Sequence, residues 1–217
     1  MRAEFHDELD QIGQSLIELT NLAGSAIARA TTALLDADLD LAESVISNDK
    51  AIDELRARTD EKAVEVLALQ APVATDLRIV VTSLRMASDL ERMGDLASHI
   101  ARIARMRHPQ VAVPQSIRPI ILEMGQTAQR IVSKAGSVIA SQDAAAASEL
   151  EADDDVMDGL HRRLFKALLS PTWDSGMEAA IDITLLGRYY ERFADHAVSV
   201  ARRVVYLATG DWPEHTR

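Results

Sequence analysis

Leu9, Ile12, Leu16, Leu19, Ala23, Ala26, Ala30 and Ala33 recur at alternating spacings of three and four residues. That rhythm draws one apolar stripe down a helix from about Glu4 to Ala37. A helix of roughly 30 residues is about 45 Å long, and such a stripe is stable only against other long helices, so the chain belongs in a bundle. Composition agrees. The apolar residues are mostly Ala, Leu, Val and Ile, aromatics make up 4%, and the chain has 9 Gly and 6 Pro, which favours helix over sheet. With 47% hydrophobic residues in 217, a sizeable core is available. The fold class expected is all-α.

The pattern continues along the chain. Asp residues in DADLD (36–40) are placed to cap a second long helix, in which Leu41, Val45, Ile52, Leu55 and Val66 carry the stripe to about Leu69. QAPVATD breaks it, and Pro72 suits the first turn of a third helix through Leu77, Val80, Leu84 and Ala87. The stretch 108–114, with Pro109 and Pro114, divides the chain into halves 1–108 and 114–217. Beyond it three helices are expected again, over Pro114–Ser141, Asp143–Leu169 and Asp174–Ala208, with SPTWDSG as the last turn and Gly210 as a stop.

The halves also match in sequence. LERMGDLASHIAR (90–102) and YERFADHAVSVAR (190–202) align without a gap, so Glu91, Arg92, Asp95, Ala97, Ala101 and Arg102 correspond to Glu191, Arg192, Asp195, Ala197, Ala201 and Arg202. DKAID (49–53) matches DDVMD (154–158), and the small difference in length falls at the turns between the helices. Internal duplication is the economical explanation. The expected architecture is therefore two tandem antiparallel three-helix bundles, six long helices in all.

Residues four apart on a helix point the same way, so Glu91 with Asp95 and Glu191 with Asp195 are carboxylates side by side, as are Asp49 with Asp53 and Asp154 with Asp158. With 34 acids, chance places about five such pairs in the chain. Their recurrence at matched positions in both halves is what carries information. Gly94, Ala97 and Ala101, like Ala194, Ala197 and Ala201, let a facing backbone come close. Carboxylates crowded on such a seam either take up protons or find cations. An all-oxygen donor set suits Mg²⁺, Mn²⁺, Fe or Ca²⁺, and Zn²⁺ if a histidine joins. Salt-bridged or solvated acidic faces would use the same residues without a metal.

His99, His161 and His196 each lie near one of these acids, but none recurs in the other half, which favours ordinary surface or partly buried histidines. Neither half supplies the paired Glu-x-x-His of di-iron bundles. Arg78, Arg85 and Arg92 share one side of the third helix, as salt-bridge partners of Asp89, Asp95 and Asp49 or as a strip for an acidic partner. Tyr189 with Arg188 and Arg192 offers an equivalent patch, while Tyr190 continues the apolar register into the core. There is no phosphate loop or nucleophile elbow, and no enzymatic activity is expected. A net charge of −11 argues against nucleic acid. The absence of cysteine, an acidic N-terminal stretch and the lack of a membrane-length apolar run lead to the expectation of a cytoplasmic protein that reaches membranes only through a partner.

At SDLERMGDLASHIARI (88–103) and GRYYERFADHAVSVARR (187–203) the chain resembles PhoU, the phosphate-transport regulatory family, whose two repeats each end in a helix carrying Glu-Arg-hydrophobic-small-Asp. FHDELDQIGQSLIEL, DKAID and DDVMD fall where that family places them, so the resemblance spans nearly the whole chain. It implies a six-helix fold, frequently dimeric, with metal clusters in some members. Here one cluster would use Asp49, Asp53, Glu91 and Asp95, and the other Asp154, Asp158, Glu191 and Asp195, with Fe, Mn, Mg or Zn as the candidate ions. Met93 and Phe193 stand where Ile is usual, and Leu96 stands opposite His196, so the two sites are not chemically equivalent. The implied function is negative regulation of phosphate uptake and of the phosphate-starvation response. The protein would act as an adaptor between the ATPase subunit of the phosphate ABC transporter and a sensor histidine kinase. Two other classes remain open: a histidine phosphotransfer module using His99, His161 or His196, and a carboxylate-bundle metal-binding protein.

Overall fold

The computed structural model describes residues 2–212, and it is helical almost throughout. α1 (Arg2–Asp36), α2 (Leu39–Gln70) and α3 (Ala74–Arg107) pack on one another; α4 (Arg118–Ser141), α6 (Leu150–Leu168) and α7 (Gly176–Thr209) do the same, with the short α5 (Ala144–Ser148) against α7 and α4. The two sets share one core. α1 lies along α4 and α3 along α7, so these four helices form a central ring, with α2 on one flank and α6 on the other.

The stripe on α1 does what its periodicity requires. Ile12, Leu16, Leu19, Ala23, Ala30 and Ala33 are buried, joined by Ile27, whereas Leu9 and Ala26 are half-buried at its edges. The antiparallel crossing of α1 and α4 depends on small residues. A Cβ on Gly24 would lie 3.3 Å from Val132 Cγ1 and one on Gly136 3.0 Å from Thr20 Cγ2, which marks how closely α1 approaches α4. Tyr190, fully buried, places its hydroxyl 2.7 Å from Thr31 Oγ1. Thr31 donates to Ile27 O at 2.8 Å, so the tyrosine hydroxyl donates to the threonine, and α7 is tied to α1 through the middle of the core. Burial raises the Tyr190 phenol well above its ordinary pKa.

Helix ends differ from expectation in three places, each with a local cause. Asp38 does cap α2, accepting from Leu41 N at 2.9 Å, and Gly210 ends α7 in the left-handed region. α3, however, starts after an extended Val73, which leaves Pro72 outside the helix. α4 starts at Arg118, because Pro119 has no N–H for an interior helical bond and is accepted only in the first turn. The fifth helical stretch is split: Asp143 caps α5 by accepting from Ala145 N and Ala146 N, and at Glu149 the backbone N–H turns to Ala146 O and Ala147 O before α6 begins. That tightening lets Ala147 and Leu150 both reach the core.

Two polar clamps join the halves across the α3–α7 crossing. Asp89 Oδ1 accepts from His196 Nδ1 at 3.0 Å and its Oδ2 from Arg203 Nε at 2.9 Å. At the other end of the crossing Arg107 donates to Asp182 Oδ2 at 2.5 Å and also pairs with Glu178. Asp182 is buried and, among the described residues, is ion-paired with Arg107 alone, and the two acids raise the Arg107 pKa further. Asp89 is thus engaged by α7 rather than by the arginines of its own helix, of which Arg92 takes Asp95 and Arg78 lies over the Tyr206 ring at 5.5 Å.

Candidate metal centres

The repeated acids lie on two matched seams, one between α2 and α3 and the other between α6 and α7. In the first, Gly94 brings the helices together: a Cβ there would lie 2.7 Å from Ile52 Cδ1 and 3.4 Å from Asp49 Oδ1. Glu91 and Asp95, half-buried on α3, meet Asp53 at the outer edge of α2, and each offers a carboxylate oxygen within 4.8 Å of the others. Asp49 lies deeper in the same seam. Burial raises its pKa, Asp95 and Asp53 raise it further, and the buried Ser98 hydroxyl and Arg102 partly offset them; Ser98 Oγ acts on it without a hydrogen bond of regular geometry. Glu91 is likewise raised by burial and by Asp95, against Arg92. Arg92 bonds Asp95 at 2.7 Å and lies 3.7 Å from Glu91, but it is largely exposed and cannot neutralise four acids.

The second seam holds Asp154, Asp158, Glu191 and Asp195. Asp154 is pushed up to about 6 by burial, then by Asp195, Asp158 and Asp155, with Arg202 opposing. Its Oδ1 is buried with no hydrogen-bond partner. Asp195, whose outer edge is exposed, is raised by partial burial and by Glu191, with Arg188 opposing. Among the described residues, no trio in this half closes to the spacing seen in the first. A local reason is visible: Arg188 pairs with Glu191 from one helical turn away, whereas the corresponding residue of the first half is Ser88. Arg202 is held at 3.0 and 3.1 Å from Glu151 Oε1, beside the seam.

All eight predicted acids therefore fall on the two seams, and Asp53, Glu91 and Asp95 converge most closely. The donor set is all oxygen, the like charges raise one another's pKa, and one buried carboxylate oxygen is orphaned. These are properties that a hard cation would relieve, so the residues fit such an ion. The histidines do not complete either set: His99 stacks on Tyr189 at 5.3 Å, His161 packs edge-on to Phe165 at 4.9 Å, and His196 serves Asp89. Sequence reasoning gave no role to Ser98, Arg102 or Arg202, and placed Arg188 in a patch for an acidic partner rather than on Glu191. The matched pair Arg102 and Arg202 in the repeat was the available signal, as was the three-residue spacing of Arg188 from Glu191.

Comparison with known proteins places this geometry. The PhoU domain family matches residues 16–104 and again 121–204, so each match contains one seam. The chain is 50% identical over 213 residues to the phosphate-specific transport system accessory protein PhoU homolog 2 of Mycobacterium tuberculosis, covering 98% of this chain and 100% of that protein. It is 48% identical to PhoU homolog 1 of Mycobacterium leprae, over 99% of this chain and 96% of the relative. Among solved structures, PhoU from Pseudomonas aeruginosa superposes with a TM-score of 0.87 at 29% identity, covering 95% of this chain and 100% of that one. The phosphate transport system regulatory protein PhoU from Streptococcus pneumoniae gives the same TM-score at 26% identity, over 97% and 99%. With both seams inside matched segments and the relatives covered end to end, the chain belongs to the PhoU family.

Proposed function

We propose that this protein is a negative regulator of phosphate uptake and of the phosphate-starvation response. It works as a cytoplasmic, homodimeric adaptor between the ATPase subunit of the phosphate ABC transporter and a sensor histidine kinase, without enzymatic activity of its own. The observation that carries the reading is end-to-end likeness to accessory proteins of the phosphate-specific transport system. The surfaces support it: long helices offer extended faces to two partners, and no helix among the described residues is long and apolar enough to cross a membrane. The test is deletion of the gene in cells kept in high phosphate. Starvation genes should switch on, and return to silence on complementation; expression unchanged by deletion, with any paralogue also removed, refutes the adaptor.

The two seams are proposed to hold metal, Fe, Mn, Mg or Zn, through Asp49, Asp53, Glu91 and Asp95 and through Asp154, Asp158, Glu191 and Asp195. A bound cation would supply the counter-charge that these carboxylates lack, drawing α2 to α3 and α6 to α7. Elemental analysis of protein purified without chelator should find several ions per chain, and a Glu91→Ala, Glu191→Ala double variant should lose them with a lower Tm. Metal-free protein with an unchanged melt would make the acids helix-face ion pairs or partner contacts.

A further inference from the structure

At one end of the four-helix ring a cavity of about 420 Å³ opens between the N-terminal halves of α1 and α3 and the C-terminal ends of α4 and α7. Its inner wall is made by Leu16, Met86, Ile139 and Val204, all buried core residues, and its size is that of a small-molecule site. Ser83, only 3% exposed, also lines it, and its hydroxyl makes no hydrogen bond among the described residues. Buried hydroxyls ordinarily have a partner. Gly13 widens the space, since a Cβ there would meet nothing within 4 Å.

The charge around this cavity is mostly of one sign. Asp10, exposed, and Asp76, half-buried, both line it, and neither has an ion pair among the described residues. No Lys or Arg lines it, and His6 is the one basic side chain that does. Arg78, close to Asp76 in sequence, lies instead over the Tyr206 ring at 5.5 Å and beside Gly210. The last turn of α4 borders the cavity through Ile139 and Ala140; its carbonyl end carries partial negative charge, and it holds no basic residue.

The duplication shows how the other end of the ring is balanced. There Arg107 of α3 pairs with Glu178 and Asp182 of α7, and Arg118 pairs with Asp36. The alignment that matches Glu91 to Glu191 carries Arg107 onto Leu207, and Leu207 lines the cavity. A position that supplies counter-charge at one end is therefore apolar at the other. Asp10 and Asp76 are left to a cation from outside the fold.

We propose that this cavity binds a small organic amine, with its apolar body against Leu16, Met86, Ile139 and Val204 and its ammonium group at Asp10 and Asp76. A bare metal ion gains nothing from the apolar wall, and an apolar acid is repelled by the two carboxylates. Because the walls come from helices of both halves, the bound amine ties the halves together at this end.

The full-length protein is titrated by calorimetry with n-hexylamine hydrochloride, sodium hexanoate and 1-hexanol, and Tm is read for each mixture. Hexylamine should bind at one site per chain, raise Tm, and bind at least about tenfold more tightly than the other two. Asp10→Asn combined with Asp76→Asn should remove that preference. Leu207→Arg, which places the cation of the opposite end here, should weaken the amine at least about tenfold. Gly13→Leu, which fills the cavity, should abolish binding; it replaces a glycine inside a helix, so a Tm no lower than that of the unaltered protein separates a blocked site from misfolding. The Glu91→Ala, Glu191→Ala double variant should bind the amine unchanged. No binding of hexylamine, equal binding of hexanol, or binding that survives Gly13→Leu overturns the proposal. Loss of binding in the Glu91→Ala, Glu191→Ala variant also overturns it, since the amine would then sit on the acidic seams. Gene deletion tests the adaptor reading separately, and neither result decides the other.

Discussion

Asp154 shows most plainly what the seams cost the protein without a counter-ion. Its pKa in the folded chain is about 6, against 3.8 as its ordinary value, so the folded state holds this proton more tightly than the unfolded state between the two. The sign follows: the group's contribution to stability is full below the unfolded value and is lost as pH rises through the folded one. At this half-buried position, solvent screening reduces the loss to about 1 kcal/mol. In chelator-treated protein, Asp154→Asn should restore that amount at neutral pH and flatten the dependence of Tm on pH between about 4 and 7, as read by thermal melts across buffers. The same variant should bind less metal in the second seam. A lower Tm for the metal-free variant would mean that Asp154 already has a stabilising partner.

At the scale of elements, the close helix approaches set the tolerance to change. A Cβ on Gly125 would lie 2.5 Å from Thr31 Cγ2, 2.7 Å from its Oγ1 and 3.1 Å from its Cβ, and Thr31 is stiff, β-branched and engaged with both Ile27 O and Tyr190. On Gly94 the nearest obstruction is the terminal Cδ1 of Ile52, which can turn aside. Gly125→Ala should therefore cost about 2–3 kcal/mol and Gly94→Ala about 1, measured by urea denaturation. Equal effects would mean that α1 and α4 part as readily as α2 and α3. The existence of the long helices was legible because three-and-four spacing persists over many turns, as in Leu16, Leu19 and Ala23. The α5–α6 interruption was not, since AAAAS contains no breaker and the turn at Glu149 is imposed by burial on either side. The acidic seams were legible through repetition, whereas a lone acid such as Asp89 was assigned to arginines on its own helix. Its real partners are 107 and 114 residues away, a distance that helical periodicity does not address. The exposure of Met177, Ile181 and Leu185 was also missed, because Ile181 and Leu185 look like core positions until α7 is known to turn that side outward.

The two halves of the molecule share one interior: α1 against α4 and α3 against α7 close one continuous core. Calorimetry of the full chain should accordingly show a single cooperative transition, and residues 1–108 alone, deprived of the apolar surface supplied by α4 and α7, should lack it. Two resolved transitions would show that each half folds on its own. The antiparallel crossing of α3 and α7 bears on the history of the chain as well as on its stability. Were the halves separate polypeptides, that crossing would be the contact of a symmetric pair, in which every substitution is made twice. Joined in one chain, the halves carry no such obligation. Asp60 matched to Phe165, Ser88 to Arg188 and Leu96 to His196 are positions at which the two halves differ. Two matched halves in this way make an object with a distinguishable front and back.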